Sequence, residues 1–386
     1  MSLIFTISFI LIVAIIIGVP ILYPALLNFL IRIRKHRVSQ DPIGEQTYEP
    51  RISVIIPVYN EGAVIERRIR NIYESTYPKD KIEIIVVDSG STDDTHQILQ
   101  TKFGDEVKII QEGARNGKAH AINIALEYCT GEIVILTDGP TMYDQNTILE
   151  IVKTFADPSV GGATVKYSIP DDKQNRIIHS EQLLWRYKDK IRIRESELYS
   201  TSYLSGEACA FRKGIIGSVA EDTLADDSNI AFQIISKGHR VVVTERSHFV
   251  EKSPSKIDDY LRVKGRRALG GLQEILRFRQ LIFNPRYGAF GLIIMPYRFF
   301  AELVAPILSL IALGLIVPLL MEVTAYLGLW ASILFSILLI LAIAVFRNLF
   351  YTYITTQLIL LQALVLLLRN KKDVRWVQSS TTRQIK

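Results

Sequence analysis

Cysteine is scarce in this chain of 386 residues, and charge is missing from its start. The two cysteines, Cys129 and Cys209, are too few for a disulfide framework and lack metal-ligand spacing, which fits a reducing cytosol around a soluble part. No charged side chain precedes Arg32. A signal peptide would open on positive charge, stay apolar for a shorter stretch and meet a small-residue cleavage site. Residues 3–31 read instead as a membrane helix, kinked or ended by Pro20 and Pro24. The flank Arg32-Ile33-Arg34-Lys35-His36-Arg37 places its basic end in the cytoplasm and the amino terminus outside. Neither sign of charge dominates: 45 Lys and Arg face 39 Asp and Glu, a net charge of +6. The basic surplus lies beside apolar spans, which points to anionic lipid headgroups and phosphate-bearing substrates and not to nucleic acid. A mean hydropathy of +0.22 implies a soluble domain joined to membrane segments.

What is present is organised around residues 51–141. Three apolar strands are predicted there: one from Ile52 that breaks at Pro57 into a polar turn, Ile82–Val87, and the run Glu132–Asp138. Each ends in polar groups: Tyr59-Asn60-Glu61, Asp88-Ser89-Gly90-Ser91, and Asp138. Helix capping explains any one of these acids. All of them together point to a ligand pocket where strand ends meet helix starts. Gly113-Ala114-Arg115-Asn116-Gly117-Lys118 leads into a helix at 119–128, where a lysine is well placed for a phosphate or a base edge. Arg67, Arg68 and Arg70 read as the solvated face of the first crossover helix. The charges of the polar helix predicted at 173–198 read mostly as a solvated or membrane-facing surface.

The stretches VIIPVYNE, VVDSGSTDDT, NGKAHAINIAL and ILTDGPT, in this order, resemble the inverting family 2 glycosyltransferases. The resemblance covers roughly residues 50–275. It implies an α/β fold: a GT-A (Rossmann-like) nucleotide-sugar-binding domain between an amino-terminal transmembrane helix and a carboxyl-terminal transmembrane region. It also implies roles. Pro57, Tyr59 and Glu61 match the motif lining the nucleotide pocket. Asp88 matches the carboxylate that accepts a hydrogen bond from the base, and Lys118 the lysine near base and ribose. Asp138 matches the first carboxylate of the metal-binding Asp-x-Asp motif. The second is absent, because Pro140 stands there, so a Mg²⁺ or Mn²⁺ ion is implied with a weaker or rebuilt site. Asp144 is the nearest spare carboxylate. Asp226 and Asp227, ahead of a helix at 228–237, match the Glu-Asp pair that supplies the catalytic base. Leu204–Arg212 resembles the strand and turn that hold acceptor and sugar, with Gly206 allowing close approach and with Glu207 and Cys209 unassigned. Arg266 keeps the arginine of the Gln-x-x-Arg-Trp motif of processive synthases, whose Gln and Trp are missing. Arg266 and Arg267 are candidates for holding the leaving diphosphate, or for lying on anionic lipid.

The expected organisation is a membrane helix and basic flank (1–37), a linker (38–50), a cytosolic GT-A domain (51–253), basic interfacial helices (254–297), membrane helices (298–368) and a basic tail (369–386). Spans are predicted near 299–321, 326–346 and 349–368, after an interfacial break at 281–297. Three spans would put the tail outside, whereas Arg369, Lys371, Lys372 and Arg375 argue for inside. The resemblance implies a multi-pass enzyme of the cell membrane, its catalytic domain cytosolic. It would be a hexosyltransferase-type enzyme moving sugar from a nucleotide diphosphate sugar, a UDP-sugar foremost, to a lipid-linked or glycan acceptor. A processive polysaccharide synthase, a polyprenyl-phosphate sugar synthase and an inactive scaffold are the alternatives. The enzyme reading requires Asp88, Asp138 and Asp227 to share one cavity.

Overall fold

The computed structural model describes residues 4–35, 48–170, 175–251, 254 and 256–369. His36 and Arg37 of the basic flank, most of the expected linker, and the tail beyond Arg369 lie outside the described residues.

Eight strands form one sheet in the order β3-β2-β1-β4-β7-β6-β8-β5. Its first half is parallel: β1 (Ile52–Val58) lies between β2 (Ile82–Asp88) and β4 (Ile133–Leu136), and β3 (Lys108–Gln111) borders β2. Helices α2 (Ile65–Tyr73), α3 (Thr95–Phe103) and α4 (Lys118–Tyr128) make the crossovers. The second half is mixed. It holds β5 (Met142–Tyr143), helix α5 (Thr147–Lys153), β6 (Val160–Ser168), β7 (Cys209–Arg212), helix α7 (Asp226–Ser236) and β8 (Arg240–Val250). Between β6 and β7 runs α6 (Arg176–Leu198). In β1 both faces are covered, so Ile52, Val54, Ile55 and Ile56 are all fully buried. A run apolar at every position suits a parallel strand with helices on both sides. Fully burying each such side chain is worth about 1.5–3 kcal/mol.

Two expectations about charge are corrected. Arg68 is fully buried, not solvated. Its guanidinium donates to Thr137 Oγ1 at 2.9 Å and to Asn71 Oδ1 at 2.8 Å, and lies 3.9 Å over the Tyr143 ring. It pins α2 to the end of β4, one residue before Asp138. The charges of α6 are not all a surface either: Glu181, Asp189, Arg192 and Glu195 are buried. They are covered by α8 (Ile257–Arg277) and the apolar helices, which hydropathy read one segment at a time does not reveal.

Helix α1 (Ile4–Lys35) runs antiparallel to the helical stretch Phe290–Leu327. Thr6 Oγ1 donates to Glu322 Oε2 at 2.7 Å, and Tyr23 stacks on Tyr297 with ring centroids 3.5 Å apart. The expected interfacial break is shorter than 281–297, being confined to 3-10 turns at Arg279–Leu281 and Pro285–Tyr287. From Phe290 to Leu327 the chain is helical throughout, through a π turn at Phe290–Ile294, α9 (Met295–Phe299), a second π turn at Phe300–Val304 and α10 (Ala305–Leu327). Pro296 supplies no N–H, and widened turns accommodate such a gap without ending the helix. Then come α11 (Leu329–Val345) and α12 (Arg347–Leu368). Among the described residues, the stretches Ile4–Arg34, Phe290–Leu327 and Arg347–Leu368 are long and apolar enough to cross a membrane, and the apolar stretch Leu329–Leu341 is shorter. These helices fit a membrane association.

Candidate active site

The strand order turns at β1 and β4, and the carboxyl ends of these strands open on a cavity of about 680 Å³. In an open α/β sheet that switch point is where ligands bind. Pro57, Tyr59 and Glu61 line it from β1, and Asp138 from β4. Glu61 is buried, its carboxylate packed against Gly139. Tyr59 lies beneath Arg115, whose guanidinium carbon is 4.0 Å from the ring centroid. From β2 it is Ser89, not Asp88, that lines the cavity. Asp88 is fully buried and serves the turn: Oδ1 accepts from the Ser91 N–H at 2.9 Å. Among the described residues its Oδ2 accepts no hydrogen bond, and it stands 3.4 Å from His96 Nδ1. The expectation that Asp88, Asp138 and Asp227 share a cavity thus holds for the latter two, while Asp88 sits one residue behind the wall.

Asp226 and Asp227 are the first residues of α7, rather than preceding the helix. Both line the cavity. Acids in a first helical turn are stabilised by the helix dipole. Lys118, at the start of α4, bridges the two halves of the sheet: its Nζ is 2.8 Å from Asp138 Oδ1 and 3.2 Å from Asp226 Oδ2. Gly206 makes room for this bridge, since a Cβ there would stand 3.4 Å from Lys118 Nζ and 3.9 Å from Asp227. On the other side α8 crosses the loop before Asp226 at Gly270, where a Cβ would come within 2.8 Å of the Leu224 backbone.

Protonation follows from this crowding. Burial, with Asp226 and Glu207 nearby, pushes the Asp227 carboxyl up to about 7. Burial also raises Asp138, and Lys118 opposes it. Burial alone would lower Lys118, but Asp138 and Asp226 outweigh it and hold the ammonium above the usual lysine range.

Arg266 and Arg267 both line the cavity. Arg267 donates to Glu207 Oε1 at 2.9 Å, and burial, reinforced by Glu207, raises the neighbouring Glu251 well above a normal carboxyl. Arg266 is left with a buried Nε that has no hydrogen-bond partner among the described residues. Arg115, Lys118 and Arg266 together give this end of the cavity a basic wall. Arg115 received no role from the sequence, because nothing in a Gly-Ala-Arg-Asn-Gly loop marks which side chain turns inward.

Among the described residues no three His, Cys, Asp or Glu side chains form a ready metal cage. Asp144 does not line the cavity, and its Oδ2 accepts from Ser247 Oγ at 2.5 Å. The other carboxylate that Lys118 joins to Asp138 is Asp226, whose buried Oδ2 has no hydrogen bond among the described residues and stands 3.2 Å from the Lys118 ammonium. A divalent ion there would take the place of that ammonium between two carboxylates, with phosphate oxygens and water as its remaining ligands.

Residues 53–219 match the family described as Glycosyl transferase family 2. The chain is 25% identical over 246 residues to a beta-monoglucosyldiacylglycerol synthase of Nostoc sp., covering 62% of this chain and 53% of that one. It is 24% identical over 234 residues to a poly-beta-1,6-N-acetyl-D-glucosamine synthase of Staphylococcus aureus, covering 58% and 56%. The matches span about half the length of these curated relatives. Among solved structures, the mannosyltransferase PcManGT from Pyrobaculum calidifontis, in complex with GDP-Man and Mn²⁺, superposes with a TM-score of 0.76 at 28% identity, over 95% of this chain and all of that one. The chain carries a glycosyltransferase family 2 domain with a GT-A fold, joined to apolar helices at both ends.

Proposed function

We propose that the protein is an inverting glycosyltransferase that moves a sugar from a nucleotide diphosphate sugar to a membrane-associated acceptor. The observation that carries this reading is the single cavity. One end holds Asp138, Lys118, Asp226 and Asp227 at the sheet's open rim, and the other is walled by the apolar helices through Ile16, Leu349 and Leu360.

In this reading Pro57, Tyr59 and Glu61 flank the nucleotide, and the orphan oxygen of Asp88 accepts from the base edge once Ser89 gives way. Lys118, Arg115, Arg266 and Arg267 face the diphosphate. Asp138 and Asp226 would hold a Mg²⁺ or Mn²⁺ ion, which neutralises charge on the leaving group when bound. Asp227 takes the proton from the acceptor oxygen, which attacks the anomeric carbon from the face opposite the diphosphate. A carboxyl raised to about 7 suits a base working near neutrality. The new carbon–oxygen bond forms as the bond to the diphosphate breaks, so the anomeric configuration inverts. Fixed cations placed where negative charge grows stabilise the transition state. The catalytic domain would face the cytosol of a multi-pass cell-membrane protein. The missing Gln and Trp around Arg266 favour transfer of one or a few sugars over processive synthesis.

The test is a donor panel on purified full-length protein, with UDP-sugars beside GDP-mannose and with Mn²⁺. Release of nucleotide diphosphate from one donor, abolished in Asp227→Asn, is the expected result. No release from any donor in the presence of membrane lipids would overturn the reading.

A further inference from the structure

Behind Asp227 the cavity wall gathers cations around one aromatic ring. Arg298 lies 4.7 Å over Tyr203, Arg192 lies 5.6 Å from it and Lys188 Nζ 5.8 Å from it. All line the same cavity as Asp227. Two are held by acids: Arg192 Nη1 is 2.9 Å from Asp189 Oδ1, and Arg298 Nε is 3.0 Å from Glu302 Oε1. Lys264 is held by Glu181. Lys188 has no hydrogen bond or ion pair among the described residues, and its nearest aromatic ring centroid, Trp185, is 5.3 Å away. Burial holds its ammonium below the usual lysine range, although Glu302 and Glu181 pull the other way. Arg192 is buried at 3% exposure, and among the described residues its Nε has no hydrogen-bond partner.

An unpaired ammonium and an unsatisfied guanidinium N–H in one half-apolar cavity are costly unless something anionic meets them. The acids that could pair with Lys188 are committed to other cations. Arg298 ties the cluster to the base, since its Nη2 donates to Ser228 Oγ at 3.2 Å, one residue from Asp227. Away from the cluster, the cavity continues between apolar side chains such as Ile16, Ile191, Leu349 and Leu360. Charge near the base and hydrocarbon further off match an amphiphile with an anionic head.

We propose that Lys188, Arg192 and Arg298 form a phosphate subsite for a lipid acceptor, anchoring the lipid's terminal phosphate beside Asp227 while its chain lies among the membrane helices. This rests on the glycosyltransferase reading and adds the acceptor's class. The shared chemistry is a phosphate, so the test separates the lipid from the free ion.

Binding is measured on full-length protein in nanodiscs with farnesyl phosphate, farnesol and inorganic phosphate as probes, with no donor present. The wild type is expected to bind farnesyl phosphate at least about tenfold more tightly than farnesol or inorganic phosphate, as a charge-assisted contact predicts. Lys188→Gln should erase about tenfold of that preference, and Lys188→Arg should restore most of it, which a misfolded variant would not do. Equal binding of farnesol and farnesyl phosphate overturns the proposal. So does inorganic phosphate binding as tightly as the lipid, or an unchanged affinity in Lys188→Gln. Donor turnover by the wild type is read separately: if nucleotide diphosphate is released while the lipid shows no phosphate preference, the subsite fails and the transferase reading stands.

Discussion

The ammonium of Lys118 lies 2.8 Å from Asp138 Oδ1, so the first parallel crossover after β3 and the end of β4 are joined by charge at the mouth of the cavity. The same ammonium reaches Asp226. One cation therefore separates two carboxylates that would otherwise repel each other across a partly dry site. Lys118→Met should leave both acids uncompensated, and breaking one side of a buried pair costs about 3–5 kcal/mol. Thermal unfolding of the variant should show a clear loss of stability, smaller in an added Asp138→Asn background. Equal destabilisation in both backgrounds would mean that the pairing carries no energy.

The raised carboxyl of Asp227 ties activity to pH. Donor turnover should climb as the group deprotonates and level off above about pH 7. Stability runs the other way. Between about pH 4, where an unfolded Asp loses its proton, and about 7, the folded protein keeps a proton that the unfolded chain has released. Stability from this group therefore declines as pH rises through that window. Asp227→Asn should lose at least about a hundredfold in turnover, yet melt higher than the wild type at pH 8 and no higher at pH 4. A lower melting temperature at pH 8 would show that Asp227 is a structural anchor instead.

Gly270 sets how closely α8 approaches the loop that leads into the two acids of α7. A methyl group there meets the Leu224 backbone at 2.8 Å and the Ala225 Cβ at 2.9 Å, so helix or loop must shift. Gly270→Ala should lower turnover by about tenfold or more, since small misplacements at a reacting centre are expensive. Helix propensity alone would make the same change stabilising. A variant that is both more stable and fully active would show that the loop yields without disturbing Asp226 and Asp227.

Divalent ions give another test. Removing them with EDTA should depress donor turnover, and Mn²⁺ or Mg²⁺ should restore it. Asp226→Asn should raise the Mn²⁺ concentration needed, while Asp144→Asn should not, because Asp144 faces Ser247 and stands away from the cavity. Sensitivity in Asp144→Asn but not in Asp226→Asn would reverse that ligand choice.

Three strands of the parallel half, β1, β2 and β4, were legible in the sequence because they are apolar at nearly every position and run into polar turns. That Asp138 and Asp227 line one cavity was expected from the family motifs. What stayed hidden depended on tertiary cover. Arg68 looks like any basic helix residue until Tyr143 and Thr137 are seen around it. Asp226 sits next to Asp227 in sequence, yet its link to Asp138 runs through a lysine more than a hundred residues away. The burial of α6 depends on the apolar helices folding over it, and no local periodicity records that. Asp88 is the converse case: a strand-end carboxylate that reads as aimed at a ligand spends Oδ1 on its own turn, which leaves Oδ2 for the base in the proposed reading.

In the proposed reading, a cavity open to the sheet's rim at one end and walled by the apolar helices at the other would draw its two substrates from different phases. A nucleotide sugar would arrive at a molarity. A lipid would arrive at a mole fraction, diluted by every neighbouring lipid and indifferent to assay volume. Saturation curves for such an acceptor should collapse onto one line when plotted against its share of the bilayer, whatever the amount of water around it.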